Sequence, residues 1–137
     1  MGILLDIHSF VRWLIAAVGL ATVVVLVVGL FRKGQYGRRE RGLVSAYSGL
    51  IDLQVLLGLL FFLWNGFAGG GFPLFRWEHL AVMILAAAAS HYPSMRKKAE
   101  GKALFVNGLV AVFGSLLLIL VGILLLPGGP IRWQFPW

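Results

Sequence analysis

Hydrophobic positions along this chain fall into four long runs, divided by short polar or glycine-rich segments. The first is 13–31, extended upstream by 3–11 with Asp6, His8 and Arg12 interrupting it; the others are 43–64, 77–95 and 103–126. Between them lie 32–42, the glycine-rich 65–76 with Gly69, Gly70, Gly71 and Pro73, and 96–102, and Pro127-Gly-Gly-Pro130 stops the last run. A membrane-spanning helix needs roughly 20 mainly apolar residues, and each run supplies about that many. The pattern predicts an all-α membrane protein, a four-transmembrane-helix bundle. The spans are about 4–31, 43–64, 77–95 and 103–126, in one membrane domain over 1–137 with an outer interfacial tail at 127–137.

Composition narrows the picture further. Of the 137 residues, 60% are hydrophobic and 12% charged, with mean hydropathy +0.92, against roughly 45–50% and 25% in a soluble domain. Four spans leave no room for a soluble domain. There is no cysteine, which excludes disulfides, thiolate nucleophiles, iron–sulfur clusters and haem attached through Cys.

The net charge of +7 could suggest nucleic acid, but the positions of the charges argue for topology instead. Arg32, Lys33, Arg38, Arg39 and Arg41 follow the first run, and Arg96, Lys97, Lys98 and Lys102 follow the third. Nine of the twelve basic residues thus lie on one side, which the positive-inside rule assigns to the cytoplasm. Both termini are then extracytoplasmic. The first segment has Asp6 before its apolar core and Arg32-Lys33 after it, the reverse of a signal peptide, so it is expected to be retained. Trp13, Trp64, Trp77, Trp133 and Trp137 fall at the outer side, as an interfacial belt, while Tyr36, Tyr47 and Tyr92 fall at the inner side. The expected surroundings are the lipid bilayer, with about 1 kcal/mol of attraction per basic residue to anionic lipid, and no nucleic acid.

Polar groups at membrane depth are few, and each costs roughly 2.5–3.5 kcal/mol at a helix centre if charged. The outer group is His8, Arg12, Glu78 and His79, with Arg76 at its rim. His8 and Arg12, four apart, share a helix face, and His79 begins span three at the depth where His8 begins span one. Two parallel helices can therefore present two imidazoles at one level, the arrangement of a bis-histidine haem b, with Arg12 placed for a propionate. Gly19 and Thr22 below His8, and Ala86 and Ser90 below His79, would leave room for a flat macrocycle. The same residues also admit plainer roles: histidines facing headgroups, an Arg76–Glu78 rim pair, and small residues for tight packing. Small pairs four apart, Ala17/Ala21, Ser45/Gly49 and Ala111/Ser115, equally permit close helix approach.

The inner group is Ser48, Asp52, His91 and Asn107. Ser45, Ser48 and Asp52 follow one face of span two, and His91 and Asn107 enter from spans three and four at comparable depth. A carboxylate beside an imidazole can relay protons or bind a quinone headgroup, or can simply hold helices together. His79 and His91 are separated by about 18 Å of helix and cannot serve one metal. Gln54, on the face opposite Asp52, is expected to bond to a neighbouring helix. No nucleophile elbow, His-Glu-x-x-His helix or phosphate loop is present.

His8-Ser-Phe-Val-Arg-Trp13, Asp52-Leu-Gln-Val-Leu-Leu-Gly58, Glu78-His79 and Met95-Arg-Lys-Lys98 together resemble a family of small four-helix bacterial membrane proteins labelled cytochrome b-like. The likeness extends over nearly the whole chain. It implies haem b, electron transfer near quinone and residence in the bacterial cytoplasmic (inner) membrane, with His8 and His79 as ligands of the haem iron and Arg12 as propionate partner. Relatives often carry a histidine where this chain has Asp52, so a haem ligated through span two would be lost here, while the pair His8/His79 would be unaffected. The tail after Pro127, with Ile131, Trp133, Phe135 and Trp137, is longer than in those relatives and would dock on a neighbouring subunit or anchor in the interface.

The expected function is that of a b-type cytochrome subunit passing electrons to or from quinol inside a respiratory or photosynthetic complex, with other membrane subunits as partners. The competing expectation is a haem-free accessory subunit that scaffolds such a complex, which the aspartate at position 52 would suit. Proton conduction along Ser48, Asp52 and His91 is a third, with no titratable group to continue it outward along span two.

Overall fold

The computed structural model describes residues 2–133, and every element among them is helical. Four long helices, α1 (Gly2–Phe31), α2 (Arg38–Asn65), α3 (Leu74–Ser90) and α5 (Lys102–Leu124), are joined by short connections, with a one-turn helix α4 (Tyr92–Met95) after α3. A wide π turn (Gly66–Gly70) continues α2, and a 3-10 turn (Gly129–Trp133) follows α5. Three segments, Gly2–Phe31, Arg38–Gly70 and Lys102–Leu124, are long and apolar enough to cross a membrane. Phe135 and Trp137 of the tail, and the side chains of Arg132 and Trp133, lie outside the described residues.

Local chemistry sets the boundaries. The α1 helix closes where the Gly34 N–H donates to the Gly29 carbonyl at 2.9 Å, around Lys33 in left-handed conformation. The α2 helix opens with Glu40 reaching back to accept from the Gly37 N–H at 2.9 Å, the acidic half of a capping box. Its far end turns through Gly69 and Gly71, at φ 103° and 63°, a region that side chains with a Cβ avoid. Span three departs from expectation: the helix stops at Ser90, not Met95. Pro93 has no N–H for the Ala89 carbonyl and its ring would clash there, so His91 leaves the helix with φ −90° and ψ 5°. At 17 residues, α3 is the shortest of the four long helices.

The helices form a circuit. α1 packs on α2 and α5, α3 packs on α2 and α5, and the backbones of α1 and α3 nowhere approach within 8 Å Cα to Cα among the described residues. Val11, Ile15, Tyr47, Ile51, Met83, Ala86, Val112, Ile119 and Ile123 make one core, and Leu26, Val44 and Phe105 a second near the basic connections. Outward faces are leucine- and phenylalanine-rich, with Leu20, Leu56, Leu85, Phe113 and Leu117 exposed, while Thr22, Ser48, Ser90 and Ser115 are buried. That is the reverse of a water-soluble helical domain. The buried hydroxyls are satisfied on their own helices, Thr22 at Val18 O (2.7 Å) and Ser115 at Ala111 O (2.6 Å), so they bring no unmet polarity inside.

Two expectations about small and aromatic residues change. Of the small pairs, only Ala111/Ser115 is buried in a contact; Ala17, Ala21, Ser45 and Gly49 face outward. Tyr47 is not part of an inner belt. It is fully buried, with its hydroxyl 2.7 Å from Ser115 Oγ.

Candidate functional site

Near the starts of α1 and α3 and the ends of α2 and α5, the four helices enclose a cavity of about 310 Å³. His8, Arg12 and His79 all line it, together with Ser9, Gln54 and Arg76, above an apolar floor that includes Ile15, Ile51 and Met83. Three residues singled out from sequence, on two helices that face each other across the circuit, are thus brought to one space. The volume lies at the lower end of small-molecule sites, about 300–1,000 Å³. Among the described residues no carboxylate lines it, and two guanidinium groups do. Glu78 is exposed and outside the lining. Arg76 donates to Asn65 Oδ1 and to the Gly71 carbonyl (3.2 Å) instead of pairing with Glu78.

Each imidazole is positioned by a neighbouring backbone. His79 Nδ1 lies 2.7 Å from the Gly122 carbonyl. A carbonyl only accepts, so Nδ1 carries the proton and Nε2 of the neutral ring carries the lone pair. Gly122 permits this approach: a Cβ there would come within 2.2 Å of Met83 Cε and 3.5 Å of His79 Nδ1. On the opposite side, Gln54 Nε2 donates to the His8 carbonyl at 2.9 Å, tying α2 to α1 at the level of the cavity as expected of Gln54. Gly58 makes a cradle for the His8 ring, since a Cβ would sit 3.1 Å from His8 Cε1. His8 Nδ1 and Gln54 Oε1 are buried without a hydrogen-bond partner among the described residues.

Two imidazoles from facing helices, one of them donating through Nδ1, with Arg12 and Arg76 beside them, are residues that could hold a haem b. The orphaned His8 Nδ1 and the glycine cradle belong to the same space. No cluster of three or more His, Cys, Asp or Glu residues is present among the described residues, and a bis-imidazole site does not call for one. The space beneath is not what the small residues suggested. At Gly19 a Cβ would meet Tyr47 Cε2 at 2.8 Å and Leu116 at 3.2 Å; Thr22, Ala86 and Ser90 are buried in packing. Small residues there serve helix contact, and the cavity ends on Ile15, Ile51 and Met83.

The inner group divides. His91 Nε2 lies 2.9 Å and 3.0 Å from the two Asp52 carboxylate oxygens, with side chains 42% and 51% exposed respectively, so the pair sits on an outward flank. Ser48 is beside it but buried, its hydroxyl donating between Ser90 O (2.9 Å) and Val44 O (3.1 Å). Asn107, also buried, lines a separate concavity with Arg96, Lys97 and Lys98. Comparison with models of known protein families, with curated proteins and with solved structures found no match to this chain.

Sequence reading missed the buried Tyr47–Ser115 pair and placed Arg76 only at the rim. Tyr47 could have been found, because it continues the buried stripe Val44, Tyr47, Ser48, Ile51 of α2 at three- and four-residue spacing. Arg76 could not, since its direction depends on the turn before α3.

Proposed function

We propose that this chain is a membrane-embedded b-type haem subunit that passes electrons between quinol and a partner complex. The observation that carries this reading is the cavity shared by His8 and His79 from facing helices, with Arg12 and Arg76 lining it and no carboxylate among the described residues. His8 and His79 would hold the haem iron, and Arg12 and Arg76 would face its propionates. Bound haem supplies reversible one-electron chemistry. The Gly122 carbonyl orients the His79 ring by accepting from Nδ1, and the apolar floor of Ile15, Ile51 and Met83 would limit water beneath the imidazoles. Asp52 and His91, half-exposed on the flank, offer a carboxylate and an imidazole to a quinol diffusing in the bilayer, with Ser48 packed beside them.

The membrane frame of this proposal is a four-helix bundle in a bacterial cytoplasmic membrane. At 17 residues α3 is at the short end of the spanning range of about 17–25, and it completes the circuit with the three longer helices. The basic connections lie inside and both termini outside.

Protein purified with its partners under native conditions, examined by reduced-minus-oxidised absorption and by pyridine haemochrome, tests the reading. About one haem per chain with a low-spin α-band is expected, and His8→Ala and His79→Ala each lose it. A full haem complement in either variant overturns the ligand assignment. Absence of haem from the unaltered protein overturns the cytochrome reading in favour of a haem-free scaffold subunit.

A further inference from the structure

The opposite end of the molecule holds a second concavity, of about 480 Å³, between the connection after α4 and the first turns of α5. Arg96, Lys97, Lys98, Ala99, Ala103 and Asn107 are among its lining residues. Three are cations and none is acidic; Glu100, in the same connection, is exposed and outside the lining. The Arg96 guanidinium lies 5.9 Å from the centre of the Tyr92 ring, a cation–π contact that restrains it. Ala103 belongs to the first turn of α5, where the helix dipole adds partial positive charge.

The second, independent feature is Asn107. It is 9% exposed, lines the concavity, and its side-chain amide makes no hydrogen bond among the described residues. Five residues separate it from the start of α5, about 7.5 Å along the axis, deeper than the loop cations. An amide that opens into the concavity with no protein partner among the described residues, beneath a cluster of positive charge, is complementary to an oxyanion with several acceptor oxygens.

We propose that this pocket binds a phosphate group, with the Asn107 amide donating to a phosphate oxygen while Arg96, Lys97 and Lys98 balance its charge. The phosphate comes from an anionic phospholipid headgroup or from free phosphate. The site shares no residue with the imidazole cavity and stands whether or not haem is bound.

The test uses the full chain in non-denaturing detergent, with phosphatidylglycerol and phosphatidylcholine offered together and retained lipid read by native mass spectrometry. Retained phosphatidylglycerol is expected, and Asn107→Leu, which leaves the net charge unchanged, weakens it about tenfold, the worth of one hydrogen bond to a charged group. Survival of the preference in high salt separates a built site from diffuse loop charge, which salt screens. Competition by millimolar inorganic phosphate identifies free phosphate as the ligand; lipid retention indifferent to it identifies the headgroup. Either result supports the pocket. Binding of neither phosphate source, or wild-type retention in Asn107→Leu with normal helical circular dichroism, overturns it. Should Asn107→Leu fail to fold, the triple variant Arg96→Gln, Lys97→Gln, Lys98→Gln decides, and undiminished retention there also overturns the proposal.

Discussion

Individual residues differ most in how much freedom their neighbours have. Gly19 and Gly122 both sit where a Cβ would be too close to something, at 2.8 Å from Tyr47 Cε2 and 2.2 Å from Met83 Cε. The Tyr47 ring is fully buried and held at its far end by Ser115, so it cannot swing aside. Met83 Cε is the end of a flexible, unbranched side chain and can. Gly19→Ala should therefore destabilise the fold by about 1–3 kcal/mol, as overpacking does, while Gly122→Ala costs under about 1 kcal/mol despite the shorter distance. Thermal unfolding of the two variants in detergent gives the comparison, and the opposite order would mean that the α1–α2 contact yields more than the core suggests. The imidazoles are read in the same way. Their spacing in sequence put His8 and His79 at one depth, but the Gly122 carbonyl that sets one tautomer and the Gly58 cradle beneath the other are contacts across helices, which no local spacing encodes.

Among the elements, the turn between α2 and α3 has the strictest backbone. Gly71, at φ 63° and ψ −174°, occupies a region essentially restricted to glycine, whereas Gly49 is an exposed position within α2 with nothing within 4 Å of an added Cβ. Gly71→Ala is expected to cost about 1–3 kcal/mol. Gly49→Ala should instead stabilise by up to about 1 kcal/mol through helix propensity, both measured by chemical or thermal denaturation. Equal effects would show that the turn relaxes. This turn also aims Arg76, through Asn65 Oδ1 and the Gly71 carbonyl, so the loop that joins two helices builds part of the cavity rim. At the other end of α3 the lesson is reversed. Pro93 was visible in the sequence, yet the apolar run through Met95 masked the break that it imposes, and with it the placing of His91 outside the helix.

At the scale of the whole molecule, charge asymmetry makes a prediction that is easy to read because the chain has no cysteine. A single Lys97→Cys should react with a membrane-impermeant thiol reagent only in inverted vesicles, and a single Phe67→Cys, at an exposed position of the turn between α2 and α3, only from the outside of intact cells. Labelling of both from the same side would refute the up-and-down arrangement of α2, α3 and their connections. The packing circuit bears on function as well. Because the backbones of α1 and α3 stand apart across the circuit, there is space for a cavity near one end, while Tyr47, Ile51 and Met83 pack together toward the middle.

The sequence by itself determined the all-helical character, the apolar runs, of which the structure makes three into helices long and apolar enough to cross a membrane, the positions of the connections and the short list of polar groups worth attention. These follow from local physics: apolar run length, the missing N–H of proline, the conformational range of glycine and the sign of loop charge. Tertiary structure decided which of those groups meet. It joined His8, Arg12 and His79 around one cavity, set Asp52 and His91 on a flank, and sent Asn107 to a basic pocket of its own. It also filled with Tyr47 and Leu116 the space that Gly19 had left open on paper. Helix periodicity fixes the face on which a residue lies, but the neighbour opposite that face is set by the order of helices around the circuit, a property of the whole chain packing at once.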